Sequence, residues 1–111
     1  MKVEINGTSI YGISPDSNSR CYHYHKPHDI ISMQFFCCGE YFCCFKCHNE
    51  LSDHTARQWP ENKFYQKAIL CGSCGTQITI HEYLKSGYLC PYCNASFNPG
   101  CRNHYHLYFQ Q

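Results

Sequence analysis

Cysteine and histidine dominate the chemistry available to this chain, which has 11 cysteines and 8 histidines among 111 residues. The densest stretch opens with the adjacent pair Cys37 and Cys38, continues with Cys44 and Cys47, and closes with His54. Thiolate and neutral imidazole are the ligands that Zn²⁺ prefers in closed tetrahedral sites. This stretch has too many such side chains for one ion. We therefore expect it to contribute to two zinc sites and to take further ligands from elsewhere in the chain.

A second pattern is simpler and consists of two Cys-x-x-Cys pairs, Cys71 with Cys74 and Cys90 with Cys93. This spacing is typical of a Cys₄ zinc ribbon. Gly75 follows the first pair and tolerates the left-handed backbone that turns amides towards the thiolates. The alternative reading is two disulfides or two redox-active pairs. We predict instead that all four cysteines bind one structural zinc ion.

Several features favour zinc over a disulfide scaffold. The number of cysteines is odd, the cysteines lie beside histidines, and the first 12 residues contain no apolar segment typical of a secretory signal. Leu, Ile and Phe together make up only about a fifth of the chain, so the apolar core is expected to be small. A fold with so small a core needs disulfides or metal ions to hold it. We expect metal, and we expect the chain to be largely unfolded without it.

Spacing suggests how the remaining ligands divide. Cys44 and Cys47 should share one ion, and the Cys21-x-His23 pair is a good partner for them. His48 directly follows Cys47, and adjacent residues rarely bind the same ion, so His48 should belong to a second ion. The ligands left for that ion are Cys37, Cys38, His48 and His54. The adjacent pair Cys37 and Cys38 then breaks the rule just applied, and spacing alone does not resolve this.

Short elements are predicted to position these ligands. Residues 1–13 favour a β-hairpin that turns at Asn6-Gly7, and residues 30–36 favour a strand that leads into Cys37. A short helix is expected between residues 45 and 53. A strand with alternating burial at Ile78 and Ile80 is expected to lead into a helical turn at residues 81–84. The sequence predicts a small, zinc-stabilised and largely irregular fold with short β-hairpins and one or two short helices. We divide it into an N-terminal hairpin and linker (1–20), an interleaved two-zinc module (21–58) and a Cys₄ knuckle or ribbon with an aromatic tail (64–111).

These motifs, taken in order, resemble the CHY-type zinc finger. The resemblance runs from Cys21-x-His23 through Cys37-Cys38 and Cys44-x-x-Cys47-His48 to the two later Cys-x-x-Cys pairs, and covers about residues 20–109. It implies three zinc ions per chain: one on Cys21, His23, Cys44 and Cys47, one on Cys37, Cys38, His48 and His54, and one on Cys71, Cys74, Cys90 and Cys93. Animal and plant members of the family are ubiquitin ligases that carry a separate RING domain. No RING pattern follows here, so ligase activity is not expected.

The functional reading follows from closed metal sites and balanced charge. Sites filled by four protein ligands leave no position for a catalytic water, so we expect no enzyme activity. We expect a zinc-binding module that presents a surface to a protein partner. The alternative is a protein that handles zinc or thiol redox chemistry and releases metal on oxidation, because short fungal members of the family assist thiol oxidation in the mitochondrial intermembrane space. Nucleic-acid binding is disfavoured by a net charge of +1 without a basic run.

Location and leftover residues complete the sequence-based expectations. No apolar run approaches the length needed to span a membrane, and a cytoplasmic location is expected. Cys43 lies outside the three ligand sets and is expected to be a free thiol. Cys101, His104 and His106 could supply three ligands of a further metal site in the tail, but no fourth ligand is evident, and a structural role with a hydrogen bond to a zinc-bound sulfur is favoured.

Overall fold

A single six-stranded β-sheet organises the computed structural model, which describes residues 2–100 and 105–110. The strands lie side by side in the order β1-β2-β4-β3-β5-β6. Their bounds are Lys2–Ile5 (β1), Thr8–Tyr11 (β2), Ile31–Gln34 (β3), Tyr41–Phe42 (β4), Lys67–Cys71 (β5) and Gln77–Thr79 (β6). The sheet takes strands from all three segments into which the sequence was divided. The boundaries of those segments stay a prediction.

The N-terminal hairpin forms as its turn dipeptide predicts. Ile5 of β1 is paired with Thr8 of β2, so Asn6 and Gly7 alone make the turn. Both have positive φ, +50° and +83°, which is the requirement of the tight turn that follows the twist of an antiparallel hairpin. The hairpin then joins the sheet through β2, which runs parallel to β4 and pairs Ile10 with Tyr41.

The centre of the sheet is antiparallel and leads directly to the metal-ligand candidates. β3 pairs with β4 on one side and with β5 on the other. Cys37 and Cys38 lie in the turn between β3 and β4, and Cys71 is the last residue of β5. The strand predicted over residues 30–36 is therefore present. The turn at its end holds Cys37 and Cys38 next to the sheet.

Three short α-helices accompany the sheet in the described part of the chain: Phe45–Leu51 (α1), Ile80–Leu84 (α2) and Tyr105–Tyr108 (α3), with a 3₁₀ turn at Glu61–Lys63. α1 forms where a helix was predicted, and its cap Ser52 donates its backbone N–H to the carbonyl of His48. The strand expected through Ile80 is wrong at its end, because Ile80 is the first residue of α2. Thr79 and Glu82 form a reciprocal capping box that starts the helix there.

Two clusters of buried side chains make up the core, and the ligand candidates belong to both. The first cluster packs Ile69, Ile78 and Phe97 around Cys71 and Cys90. The second packs apolar and cysteine side chains together: Ile10, Cys21, Phe35, Tyr41, Phe42, Cys43, Cys44, Cys47 and Leu70. The small, zinc-stabilised fold expected from the sequence is confirmed. None of the helices in residues 2–100 and 105–110 has the length and apolar character needed to cross a bilayer.

One close backbone approach joins the linker before Cys21 to the first knuckle. The amide of Gly72 donates to the carbonyl of Ile30 at 2.6 Å, and the side chain of Asn18 donates to the Gly72 carbonyl at 2.8 Å. A Cβ atom on Gly72 would lie 2.0 Å from the backbone oxygen of Asn18. Glycine is therefore required at position 72 for these two segments to meet.

Candidate metal centres

Twelve side chains form three groups of four, and within each group the candidate ligand atoms all lie within 4.8 Å of one another. Group 1 is Cys21, His23, Cys44 and Cys47; group 2 is Cys37, Cys38, His48 and His54; group 3 is Cys71, Cys74, Cys90 and Cys93. These are the three sets that the sequence analysis assigned. The structure thus brings every predicted ligand next to its predicted neighbours.

Group 1 is built on the start of α1. Cys44 is the N-cap of that helix, and its sulfur accepts the backbone N–H of Cys47 at 3.3 Å. The Nδ1 atom of His23 lies 3.5 Å from Cys44 Sγ and 3.4 Å from Cys47 Sγ, while Cys21 Sγ lies 3.6 Å from Cys44 Sγ. Zn–S bonds of about 2.3 Å in a tetrahedron place two sulfurs about 3.8 Å apart. The observed spacings therefore fit a zinc ion at the centre of the group.

The sulfurs of group 1 lie in the protein interior. Cys21, Cys44 and Cys47 are 2%, 5% and 0% exposed. Hydrogen bonds with the thiols of Cys43, Cys44 and Cys47 lower the pKa of Cys21, which favours negative charge on its sulfur. A cation that shares all the sulfurs would neutralise that charge, which is the role a zinc ion would have here.

Group 2 combines the turn after β3 with the end of α1. Cys37 Sγ lies 3.2 Å from His48 Nε2 and 3.9 Å from Cys38 Sγ. The Nε2 atoms of His48 and His54 are 3.2 Å apart. Burial lowers the pKa of His48, which keeps the imidazole neutral, as metal binding requires. The adjacent cysteines that spacing could not explain both reach the same point because the backbone turns between them.

Group 3 links the end of β5 to the loop that follows residue 89. Cys71 Sγ lies 3.8 Å from Cys93 Sγ, and Cys74 Sγ lies 3.8 Å from Cys90 Sγ. Each knuckle is followed by a residue with positive φ, Gly75 at +75° and Asn94 at +64°. The glycine after Cys74 was expected. The asparagine takes the equivalent position in the second knuckle, where a short polar side chain also tolerates this backbone.

Each histidine of groups 1 and 2 has a polar partner next to the ring nitrogen that does not face the other ligand atoms. His23 Nε2 lies 3.1 Å from the carboxylate of Glu50, and His54 Nδ1 lies 3.3 Å from that of Asp53. His48 Nδ1 lies 3.4 Å from the hydroxyl of Ser52. Such contacts fix the tautomer and orientation of a metal-binding imidazole. These partners were not predicted from the sequence, although Glu50 is three residues after Cys47 and therefore lies on the same side of α1.

The leftover residues take different positions. Cys43 is buried next to group 1, and a Cβ atom on Gly12 would lie 2.6 Å from its sulfur. It forms no disulfide and belongs to none of the three groups, and its role as a free thiol stays a prediction. His106 is exposed on α3. Cys101 and His104 lie outside the described residues, so the further metal site considered for the tail stays open.

The sequence is similar to one known family and to several fungal proteins. A family model described as CHY zinc finger matches residues 21–83. A protein of Saccharomyces cerevisiae named "Helper of Tim protein 13" is 46% identical, over 93% of this chain and 91% of its own. The Kluyveromyces lactis protein of the same name is 39% identical, over 92% and 89%. An uncharacterized protein of Schizosaccharomyces pombe is 38% identical, over 95% and 92%. No solved structure matches the chain.

Proposed function

The chain belongs to the CHY zinc finger family, and from that premise we propose that it holds three zinc ions and presents a surface to a protein partner. Zinc binding follows from the family and from the chemistry of the three Cys/His groups. The ligand sets, the number of ions and the role of the surface are the proposed part. In this reading the zinc ions are structural: they hold the knuckles and α1 against the sheet, so that the surface around them keeps one shape.

The observation that carries the proposal is that each group already supplies four ligand atoms within 4.8 Å of one another. Four protein ligands complete a tetrahedral structural site, whereas a catalytic site leaves one position to water or substrate. We therefore propose a binding protein rather than an enzyme.

The names of the relatives support a partner among the Tim proteins. Two relatives, at 46% and 39% identity over almost the whole chain, are named "Helper of Tim protein 13". Short fungal members of the family act in the mitochondrial intermembrane space, as the resemblance noted from the sequence implies. These two points favour that compartment over the cytoplasmic location expected from the sequence alone.

Replacement of the yeast relative tests this proposal. The chain would be expressed in Saccharomyces cerevisiae cells that lack their own Helper of Tim protein 13, and assembled Tim protein complexes would be measured on native gels. We expect the wild-type chain to restore them and Cys47→Ser, which loses a buried ligand of group 1, to fail. A wild-type chain that accumulates in the compartment with its zinc bound but restores nothing would overturn the assignment of the partner.

A second candidate function is the handling of zinc or of thiol oxidation, and one observation favours it. Cys38 and His54 of group 2 are exposed, so a thiol reagent or a metal acceptor can reach that group directly. Glutathione disulfide applied to the zinc-loaded protein separates the two candidates. Zinc release that reductant reverses supports this function, and release of no zinc supports a purely structural role for the ions.

A further inference from the structure

We propose that group 2 is the exchangeable zinc site of this protein and that Cys38 and His54 form the face through which the ion enters and leaves. The inference rests on the second candidate function, the handling of zinc, and it names the site and the two ligands involved.

Exposure distinguishes group 2 from group 1. The side chain of His54 is 37% exposed and Cys38 is also exposed. In group 1 the three cysteines are buried, and the His23 side chain is only 10% exposed. A thiolate from another protein can therefore approach the ligand atoms of group 2 from solvent. The same approach to group 1 first requires the surrounding core to open.

The other half of group 2 is held in place. His48 is fully buried, and its ring is stacked on Phe35 with centroids 4.2 Å apart and an interplanar angle of 16°. Phe42 packs edge-on against the same ring at 4.9 Å. Cys37 is half-buried and lies within 3.2 Å of His48 Nε2. Cys37 and His48 keep their positions when Cys38 and His54 release the ion. The site can therefore reform without refolding of the chain.

His54 lies on a segment that leaves the helix. α1 ends at Leu51, and residues 53–55 are exposed. The Ser52 hydroxyl lies 3.3 Å from the carbonyl oxygen of His54, and Asp53, which contacts His54 Nδ1, is fully exposed. The His54 ring also meets the buried His48 ring edge-on, with centroids 4.9 Å apart. Moving residues 53–55 therefore breaks few buried contacts, whereas moving His48 breaks its packing on Phe35 and Phe42.

Group 3 also has exposed ligands, but its donor set differs. Cys74 and Cys93 are exposed, and each is tied by a two-residue spacing to a fully buried cysteine, Cys71 or Cys90. Four thiolates carry a formal charge of −4 against the +2 of zinc. The two thiolates and two neutral imidazoles of group 2 carry only −2. Because electrostatic attraction for the cation is weaker in group 2, we expect its ion to leave before that of group 3.

The exchange is a ligand substitution and involves no electron transfer. The His54 imidazole gives up its bond to the ion and a thiolate of the acceptor takes that position. The Cys38 thiolate leaves next, and a second thiol of the acceptor replaces it and gives its proton to Cys38. Cys37 and His48 would release last, and Cys37 takes the proton of a third acceptor thiol. The acceptor ends with the zinc ion, and the two cysteine thiolates of this chain end as neutral thiols.

The experiment follows which histidines lose their metal first. The zinc-loaded protein, labelled with ¹⁵N at histidine, receives one equivalent of EDTA. Native mass spectrometry counts the remaining ions, and long-range ¹H–¹⁵N spectra report the ring nitrogens. We expect a two-zinc species in which the Nε2 signals of His48 and His54 move to metal-free positions while the Nδ1 signal of His23 does not.

Two matched variants sharpen the result, because each removes one carboxylate that contacts a ligand histidine. Loss of such a partner weakens metal binding about tenfold or more. We expect Asp53→Asn to speed the first release step about tenfold and Glu50→Gln, which acts on His23 of group 1, to leave that step unchanged.

Three outcomes overturn the inference while leaving zinc handling intact: early change at His23, a two-zinc species in which all three histidines stay bound, or simultaneous loss of all ions. If even excess EDTA removes no zinc from the folded protein, both the inference and the zinc-handling function fail, and the structural role remains.

Discussion

Removal of zinc is expected to unfold most of this protein. The ligand sulfurs of Cys21, Cys47, Cys71 and Cys90 are 0–2% exposed and lie inside the two core clusters. Without a cation, a thiolate at any of these positions is a buried charge with no counterion, and a neutral thiol no longer ties its segment to the others through the ion. A structural zinc contributes roughly 10–16 kcal/mol of apparent binding free energy to folding. Whole domains are stable by only about 5–15 kcal/mol, so the loss of one buried ion is comparable with the entire free energy of unfolding.

Chelation in the presence of a thiol reductant tests this expectation. Far-ultraviolet circular dichroism reports the sheet, and the fluorescence of Trp59 reports the first core cluster, because its indole is buried and donates to the Gln34 carbonyl at 2.7 Å. We expect both signals to become those of an unfolded chain and to recover when zinc is added back. Chelator saturated beforehand with zinc is the control. A native spectrum after complete zinc removal would refute the reasoning, since the apolar core would then suffice.

Three substitutions test particular contacts. Gly72→Ala places a Cβ 2.0 Å from the Asn18 backbone oxygen, and we expect it to lower the free energy of unfolding by about 3 kcal/mol in urea titration. Cys43→Ala removes a buried thiol that belongs to none of the three groups, and we expect elemental analysis to find the same zinc content as in the wild type. Thr79→Ala removes the oxygen that accepts the Glu82 amide at 3.0 Å, and we expect a loss of about 1 kcal/mol from the weakened helix cap.

Each of these substitutions has a control or a contrary result. Gly87, unlike Gly72, has positive φ, and nothing lies within 4 Å of its added Cβ, so Gly87→Ala should cost only about 1–2 kcal/mol. If both glycine substitutions lowered the free energy of unfolding equally, the close approach of Asn18 to Gly72 would not explain the loss. Loss of one zinc ion in Cys43→Ala would make Cys43 a ligand. An unchanged urea midpoint in Thr79→Ala would show that packing alone holds α2.

The ligand sets were accessible from the sequence to different degrees. Two-residue spacing groups Cys71, Cys74, Cys90 and Cys93 without further information, because a pair at that spacing can reach one ion. The pairing of Cys37 with Cys38 needed the family resemblance. The reason is physical: neighbouring side chains converge only where the backbone turns, and here the turn between β3 and β4 places their sulfurs 3.9 Å apart.

The sheet was harder to anticipate. β4 has only two residues, Tyr41 and Phe42, too few to show an alternating pattern, and its parallel pairing with β2 depends on contacts far apart in sequence. The end of β6 is a different case. The capping residues Thr79 and Glu82 are visible in the sequence at the required spacing, and they start α2 at Ile80, one residue before the helical turn expected at residues 81–84.

The polar partners on the second ring nitrogen of each ligand histidine cannot be predicted from the spacing of residues along the sequence. Glu50 reaches His23 from 27 residues away in sequence, because α1 and the segment after Cys21 meet only in the folded chain. The choice of Nδ1 in His23 and Nε2 in His48 likewise depends on ring orientation, which packing against residues such as Phe35 decides.

Zinc stoichiometry tests the central claim most directly. The protein would be purified under reducing conditions, and zinc would be counted by native mass spectrometry together with elemental analysis. The three complete groups predict three zinc ions per folded chain. A folded chain that has met no chelator, holds two or fewer ions and takes up no further zinc would contradict the account, because at least one complete group would then bind no metal; four ions would require ligands beyond the twelve assigned.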